Sequence, residues 1–365
     1  MKRKETEIII CVGTGGVGKT TVSAMLGLDC ALKAQKTLIV TIDPAKRLLD
    51  ALGLKKNSSS PEKVDVKKIF PSDSTGELYA FMPNLKQEWA DFLSSSTKTS
   101  KTIHEISKNP FYQYMIDGLP GSSEIICAHT IHRLVRDGDY DVIILDTPPA
   151  SNSVSFFDVP KKLIRVLEHR VFKFLMGQGK GAFSAITRKF AFFSGEILEK
   201  TFEKIIGTHF LSEVIDFALS IDSIYAPMLE RARSFDRLLV SQKTHFVLVS
   251  RPTVTSVADS HKLMILLKNR GITIEQIIIN QVLFYPKEEL KSEQKNAAAL
   301  SKKRVVDGLR SIVNLYEKEC MYQQKLIEEL RNIFSMIDHR VLYMSKHSTV
   351  NLMALMLKDF RRKIL

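Results

Sequence analysis

Cysteine is scarce in this sequence: four in 365 residues, at Cys11, Cys30, Cys127 and Cys320, with no CxxC pair. That spacing argues against a zinc ribbon and a disulfide framework and predicts a protein of the reducing cytosol, with no bound zinc. Long apolar runs are missing as well. No stretch of about 18 residues is free of charge, so no membrane-spanning helix is expected. Met1-Lys2-Arg3-Lys4-Glu5 leads into a short strand-like run and carries no small-residue cleavage site of a secretory signal. Acidic residues are outnumbered, 40 Asp and Glu against 53 Lys and Arg, for a formal charge of +13. Such a surplus suits a nucleotide, an anionic lipid or a nucleic acid, and equally a generally basic, soluble surface.

Glycine is concentrated where it is most informative. Gly13-Thr14-Gly15-Gly16-Val17-Gly18-Lys19-Thr20 fills every fixed position of GxxxxGK[ST]. Residues 7–12 read as a buried strand before it, and residues 21–34 have helical spacing after it. In that setting the glycines let successive backbone N–H groups face a phosphate chain at a helix N-terminus. Lys19 would reach the β- and γ-phosphates and the Thr20 hydroxyl would bind Mg²⁺. The predicted nucleotide-binding set is therefore Gly13, Thr14, Gly15, Gly16, Val17, Gly18, Lys19, Thr20 and Thr21, with ATP and Mg²⁺ as cofactors.

Three further strand ends add to it. Residues 37–42 are apolar and run into Asp43-Pro44, and Pro44 keeps Asp43 out of helix at the strand's carboxyl end. There Asp43 either handles the attacking water or caps the following helix. The run Val142-Ile143-Ile144-Leu145-Asp146 has the Walker B form, in which Asp146 holds Mg²⁺ directly or through water. Residues 277–281 form a strand closed by Asn280, whose amide suits either an adenine edge or a simple turn. Strands are also predicted over 245–250 and 340–344, with a helix over 255–270 between the first of them and the Asn280 strand.

GTGGVGKTT, TIDPAKRLLDALG, Pro120-Gly121-Ser122-Ser123-Glu124, YDVIILDTPP and IIINQ occur in that order. Together they resemble the arsenical-pump, or anion-transporting, ATPase family, which includes the cytosolic ATPase that targets tail-anchored membrane proteins. The resemblance implies an α/β P-loop NTPase fold, a mostly parallel sheet flanked by helices with an inserted α-helical subdomain. It further implies that Asp43 and Lys19 are catalytic, that Asp146 opens switch II and that Asn280 meets adenine. A chain with one phosphate loop implies a homodimer. The family loop usually reads GKGGVGKT, its early lysine stabilising charge in the partner's site; here that position is Thr14. Slow hydrolysis is therefore expected, with Arg47 as a candidate replacement cation. The missing CxxC after Asn280 and the unclustered cysteines imply neither the zinc bridge nor the arsenite site of relatives.

The predicted organisation is a nucleotide-binding core over 1–55, 138–154, 241–286 and 336–365, a helical subdomain over 56–137 and 155–240, and a charged helical or loop insertion over 287–335. Residues 156–217 hold 11 of the 20 phenylalanines, among basic residues such as Arg165, Arg188 and Lys189. These side chains form either the subdomain's own core or a groove for an apolar helix. Residues 351–365 form an amphipathic end that packs on the sheet or lies on a membrane. The expected function is a cytoplasmic Mg²⁺-dependent ATPase. Its nucleotide state would drive a helical subdomain that handles a hydrophobic membrane-protein segment. The alternatives are a spatial-positioning ATPase on membrane or DNA and a regulatory subunit of an anion efflux pump; nucleic acid is not the expected partner.

Overall fold

The computed structural model describes residues 5–42, 47–52, 54, 60–69, 76–96, 122–147, 157–158, 161, 164–165, 168, 226–283 and 303–343. The chain divides into two compact units. One comprises residues 1–82, 138–154 and 242–365, the other 83–137 and 155–241.

The first unit is built on an eight-stranded sheet. Its strands are β1 (Glu7–Val12), β2 (Lys36–Thr41), β3 (Glu62–Val64), β4 (Glu77–Phe81), β5 (Val142–Asp146), β6 (Thr244–Ser250), β7 (Ile274–Val282) and β8 (Asp338–Tyr343). The spatial order is β3-β4-β2-β5-β1-β6-β7-β8. β3 joins antiparallel to β4 at one edge, and the other described pairings are parallel. Strands buried on both faces have no polar side to show, which is why β5 reads VIILD and is buried throughout. Chain order reverses direction around β1, with β5 on one side and β6 on the other, and ligands of open α/β sheets bind at such switch points.

Helices α1 (Lys19–Leu32), α2 (Arg47–Leu52) and α3 (Val66–Ile69) belong to this unit. α1 is buried nearly all round, as a helix pressed into a core must be, with Val22, Met25 and Leu28 inaccessible to solvent. The second unit contains α4 (Leu85–Ser96), α5 (Ser122–Asp137) and α6 (residues 226–239). It has its own core of Trp89, Phe92, Ile126, Ile131 and Phe235. α7 (Val254–Lys268) and α8 (Lys303–Ile333) complete the first unit and pack on each other. Among the described residues no helix is long and apolar enough to cross a membrane.

The sheet unit takes in more of the chain than the sequence suggests. Within the expected helical stretch 56–137, β3 and β4 instead extend the sheet, with Leu78, Ala80 and Phe81 buried. Residues 303–333 form one continuous helix of the sheet unit, seated through Leu326, Ile327 and Leu330. Of the phenylalanine-rich run, Phe157 is fully buried, which suits a core role. The other phenylalanines of 156–217, Pro120-Gly121, the residues 287–302 and the terminal residues 351–365 lie outside the described residues.

Candidate nucleotide site

The phosphate loop runs from the carboxyl end of β1 to the start of α1, with Gly15 and Gly16 exposed and Thr14 half-buried. A Cβ at Gly13 would lie 2.2 Å from the Val249 carbonyl oxygen on β6, so only glycine can leave the sheet by this path. Gly18 is the N-cap of α1, in the left-handed region at φ 84°. It makes no side-chain cap, and the first turn of α1 carries no acidic residue. The helix start thus presents its positive dipole end with no side chain of its own to neutralise it, the arrangement that suits an anion.

Lys19 is 8% exposed, and its ammonium donates to the Gly13 carbonyl at 3.0 Å and the Thr14 carbonyl at 2.9 Å. The charge is therefore held across the mouth of the loop. Thr20 and the half-buried Thr21 follow in the first helical turn.

Asp146 ends β5 beside β1 and β2 and is 1% exposed. The Thr20 hydroxyl donates to its Oδ2 at 2.8 Å, the Thr41 hydroxyl to the same oxygen at 3.1 Å and the Ser23 hydroxyl to Oδ1 at 3.5 Å. A buried carboxylate needs such donors, and a carboxylate beside a hydroxyl is also the all-oxygen pair a hard divalent cation takes. The residues present therefore fit Mg²⁺. Thr147 fixes the exit from β5 by donating to the Cys11 carbonyl at 2.7 Å. Burial pushes the Cys11 thiol up to about 12, which keeps it a thiol beside the site.

The opposite wall comes from β7. Asn280, 7% exposed, donates through Nδ2 to the Val17 carbonyl at 2.9 Å, and Gln281 through Nε2 to the Gly16 carbonyl at 3.0 Å. The sequence brought Thr20, Lys19, Asp146 and Asn280 to this site, and the structure gathers them around one loop. Asp43 lies outside the described residues, as does the Arg47 side chain. Sequence reasoning missed Ser23, Thr41 and Gln281. Thr41 was findable, since a hydroxyl ending the strand beside the Walker B strand must face its last carboxylate.

Residues 6–331 match the family described as anion-transporting ATPase. The chain is 24% identical over 335 residues to putative arsenical pump-driving ATPase 1 of Aquifex aeolicus (strain VF5), covering 90% of this chain and 71% of that protein. It is 24% identical over 350 residues to the ATPase ASNA1 homolog of Plasmodium vivax (strain Salvador I), covering 92% and 82%. Against the ATPase get3 of Pyrenophora tritici-repentis (strain Pt-1C-BFP) the identity is 23% over 333 residues, covering 91% and 89%. A phosphate loop closed by a lysine, a Walker B aspartate on the neighbouring strand and a match that takes in strands β1 to β7 agree: the chain belongs to the anion-transporting ATPase family and is an ATP hydrolase.

Proposed function

We propose that this ATPase is Mg²⁺-dependent, works as a homodimer in the cytoplasm and uses its nucleotide state to move a helical unit that handles hydrophobic segments of membrane proteins. The observation that carries the reading is the Thr20–Asp146 pair at 2.8 Å and where the chain goes next. From Asp146 it passes through Thr147 and enters the helical unit at Ser155. A change at the γ-phosphate end of the site has a covalent path of under ten residues into that unit.

Thr20 and Asp146 would hold Mg²⁺, which when bound neutralises charge on the β- and γ-phosphate oxygens. The N–H groups of Gly15 to Lys19 orient the phosphates, and Lys19 leaves the Gly13 and Thr14 carbonyls for phosphate oxygens. Asp43 orients the attacking water and takes its proton. Thr14 has no charge to lend to a partner's transition state, so turnover is slow. Asn280, whose amide nitrogen donates to the Val17 carbonyl, keeps its amide oxygen as the group that would meet the adenine.

The relatives' names divide between arsenical pump-driving and GET3 or ASNA1 ATPases. The cysteines favour the second group. All four are buried, and burial pushes the Cys11 and Cys30 thiols up to about 12 and about 11, far from the thiolates an arsenical would need.

The test is light scattering without nucleotide, with ADP and with a non-hydrolysable ATP analogue, followed by photocrosslinking to an apolar helical peptide. ATP-dependent pairing with peptide captured by residues 155–240 is expected. A chain that stays monomeric in all three states and captures no peptide sinks the proposal.

A further inference from the structure

We infer that Gln281, together with Asn280, is a positioning residue that sets the direction of two N–H groups in the phosphate loop. The inference rests on the reading of that loop as the ATP site.

Neighbouring side chains on a strand point to opposite faces of the sheet. Asn280 and Gln281 are neighbours on β7, yet both donate to the same loop, to the Val17 and Gly16 carbonyls. The register with β8 explains how. Ile279 pairs with Val341 and Val282 with Tyr343, so β7 advances three residues while β8 advances two. The extra residue is a bulge, and Gln281 takes the left-handed conformation there, at φ 59°. A non-glycine residue in that region is costly enough to need a reason. The bulge supplies that reason by turning the Gln281 side chain back onto the loop.

Peptide geometry says what the two bonds accomplish. In a planar trans peptide the C=O and N–H point in opposite directions. Drawing the Gly16 carbonyl toward Gln281 therefore points the Val17 N–H away from β7, into the loop. Drawing the Val17 carbonyl toward Asn280 does the same for the Gly18 N–H. These are donors that must converge on phosphate. The clamp also explains Gly18, because a Cβ there would lie 2.3 Å from the Asn280 amide nitrogen. Without the clamp, the exposed turn at Gly15 and Gly16 would have to be ordered by each ligand as it binds.

Equilibrium binding of MgATP, MgGTP and inorganic tripolyphosphate to the full chain reads the clamp. Gln281→Gly removes the amide at a backbone conformation glycine adopts freely. All three ligands are expected to weaken by a common factor of about five- to tenfold, the worth of one hydrogen bond. KM for ATP rises by the same factor while kcat holds, because ground state and transition state lose alike. Gln281→Asn keeps the backbone conformation and an amide one methylene too short, and follows Gln281→Gly. Unchanged affinities overturn the inference. So does a loss confined to the nucleotides, which would put Gln281 on the base, or a fall in melting temperature with affinities intact, which would make its role structural only. Lys19→Ala separates the two readings. If wild-type binding of MgATP is absent, or ignores Lys19→Ala, both fall; if it depends on Lys19 but not on Gln281, only the clamp falls.

Discussion

α1 and α7 both follow a central strand of the same sheet, β1 and β6, and both start within a few residues past its carboxyl end. α7 supplies its own cap. Thr253 is extended, and its side chain accepts from the Ser256 N–H at 3.4 Å. α1 has Gly18 in that place, with no side chain to offer and no acidic residue in its first turn. The same architectural joint is closed in one case and left open in the other. What distinguishes the functional joint is a helix start without a side-chain cap, with the lysine and the two amides stationed around it.

Several substitutions press on that difference. The largest effect is expected from Gly18→Ala, which places a Cβ against Asn280 at a φ of 84°. ATP affinity should fall by more than about a hundredfold, by calorimetry, since strain and a lost bond add. Thr14→Lys supplies the charge that the resemblance places at this position and should raise turnover at least about tenfold, with ATP-dependent pairing in scattering unchanged from the unsubstituted chain. No gain at high protein concentration would mean the trans role has left this chain altogether.

A smaller effect comes from a buried polar group of the helical unit. His129 on α5 is 4% exposed and neither ring nitrogen has a hydrogen-bond partner among the described residues. Its ring meets Phe92 edge-on at 5.3 Å, with Arg231 of α6 and Arg133, His132 and Arg136 of its own helix nearby. Burial, then the charge of Arg231 and Arg133, pushes it down to about 3. The unfolded imidazole binds protons from about pH 6.5, so stability is intact above that and is lost as the pH falls toward 3. Roughly 1–2 kcal/mol should be gone by pH 5, and His129→Leu should flatten the pH dependence of the helical unit's melting. The smallest effect is Thr253→Ala. Uncapping α7 should cost about 1 kcal/mol in denaturant unfolding and leave the Kd for ATP untouched.

The contrast also explains what could be read from the sequence. β1, β5 and the phosphate loop were legible because a central parallel strand must be continuously apolar and the loop must be glycine at fixed places. β3 and β4 were not. Glu62-Lys63-Val64 is three residues long, and Glu-Leu-Tyr-Ala-Phe over 77–81 sits among Lys- and Ser-rich sequence. α8 stayed open between helix and loop because its buried positions, Leu326, Ile327 and Leu330 among them, lie toward its C-terminal end, behind a long charged stretch. Gln281 was the hardest. Strand alternation assigns it to the wrong face, and nothing in Asn280-Gln281 announces a bulge.

The outer strands of the sheet constrain how copies of this chain can meet. β3 is very short, runs against its neighbour and carries Lys63 ion-paired with Glu77. β8, at the far edge, presents exposed Asp338, bonded to Arg340 at 3.2 Å and to Gln276 at 2.8 Å. Neither edge is a long apolar template for another strand, which is how natural sheets resist joining end to end. Among the described residues, then, neither edge offers a second copy a ready strand to extend. The proposed pairing of two copies would then rest on side-chain surfaces, not on backbone hydrogen bonds between sheets.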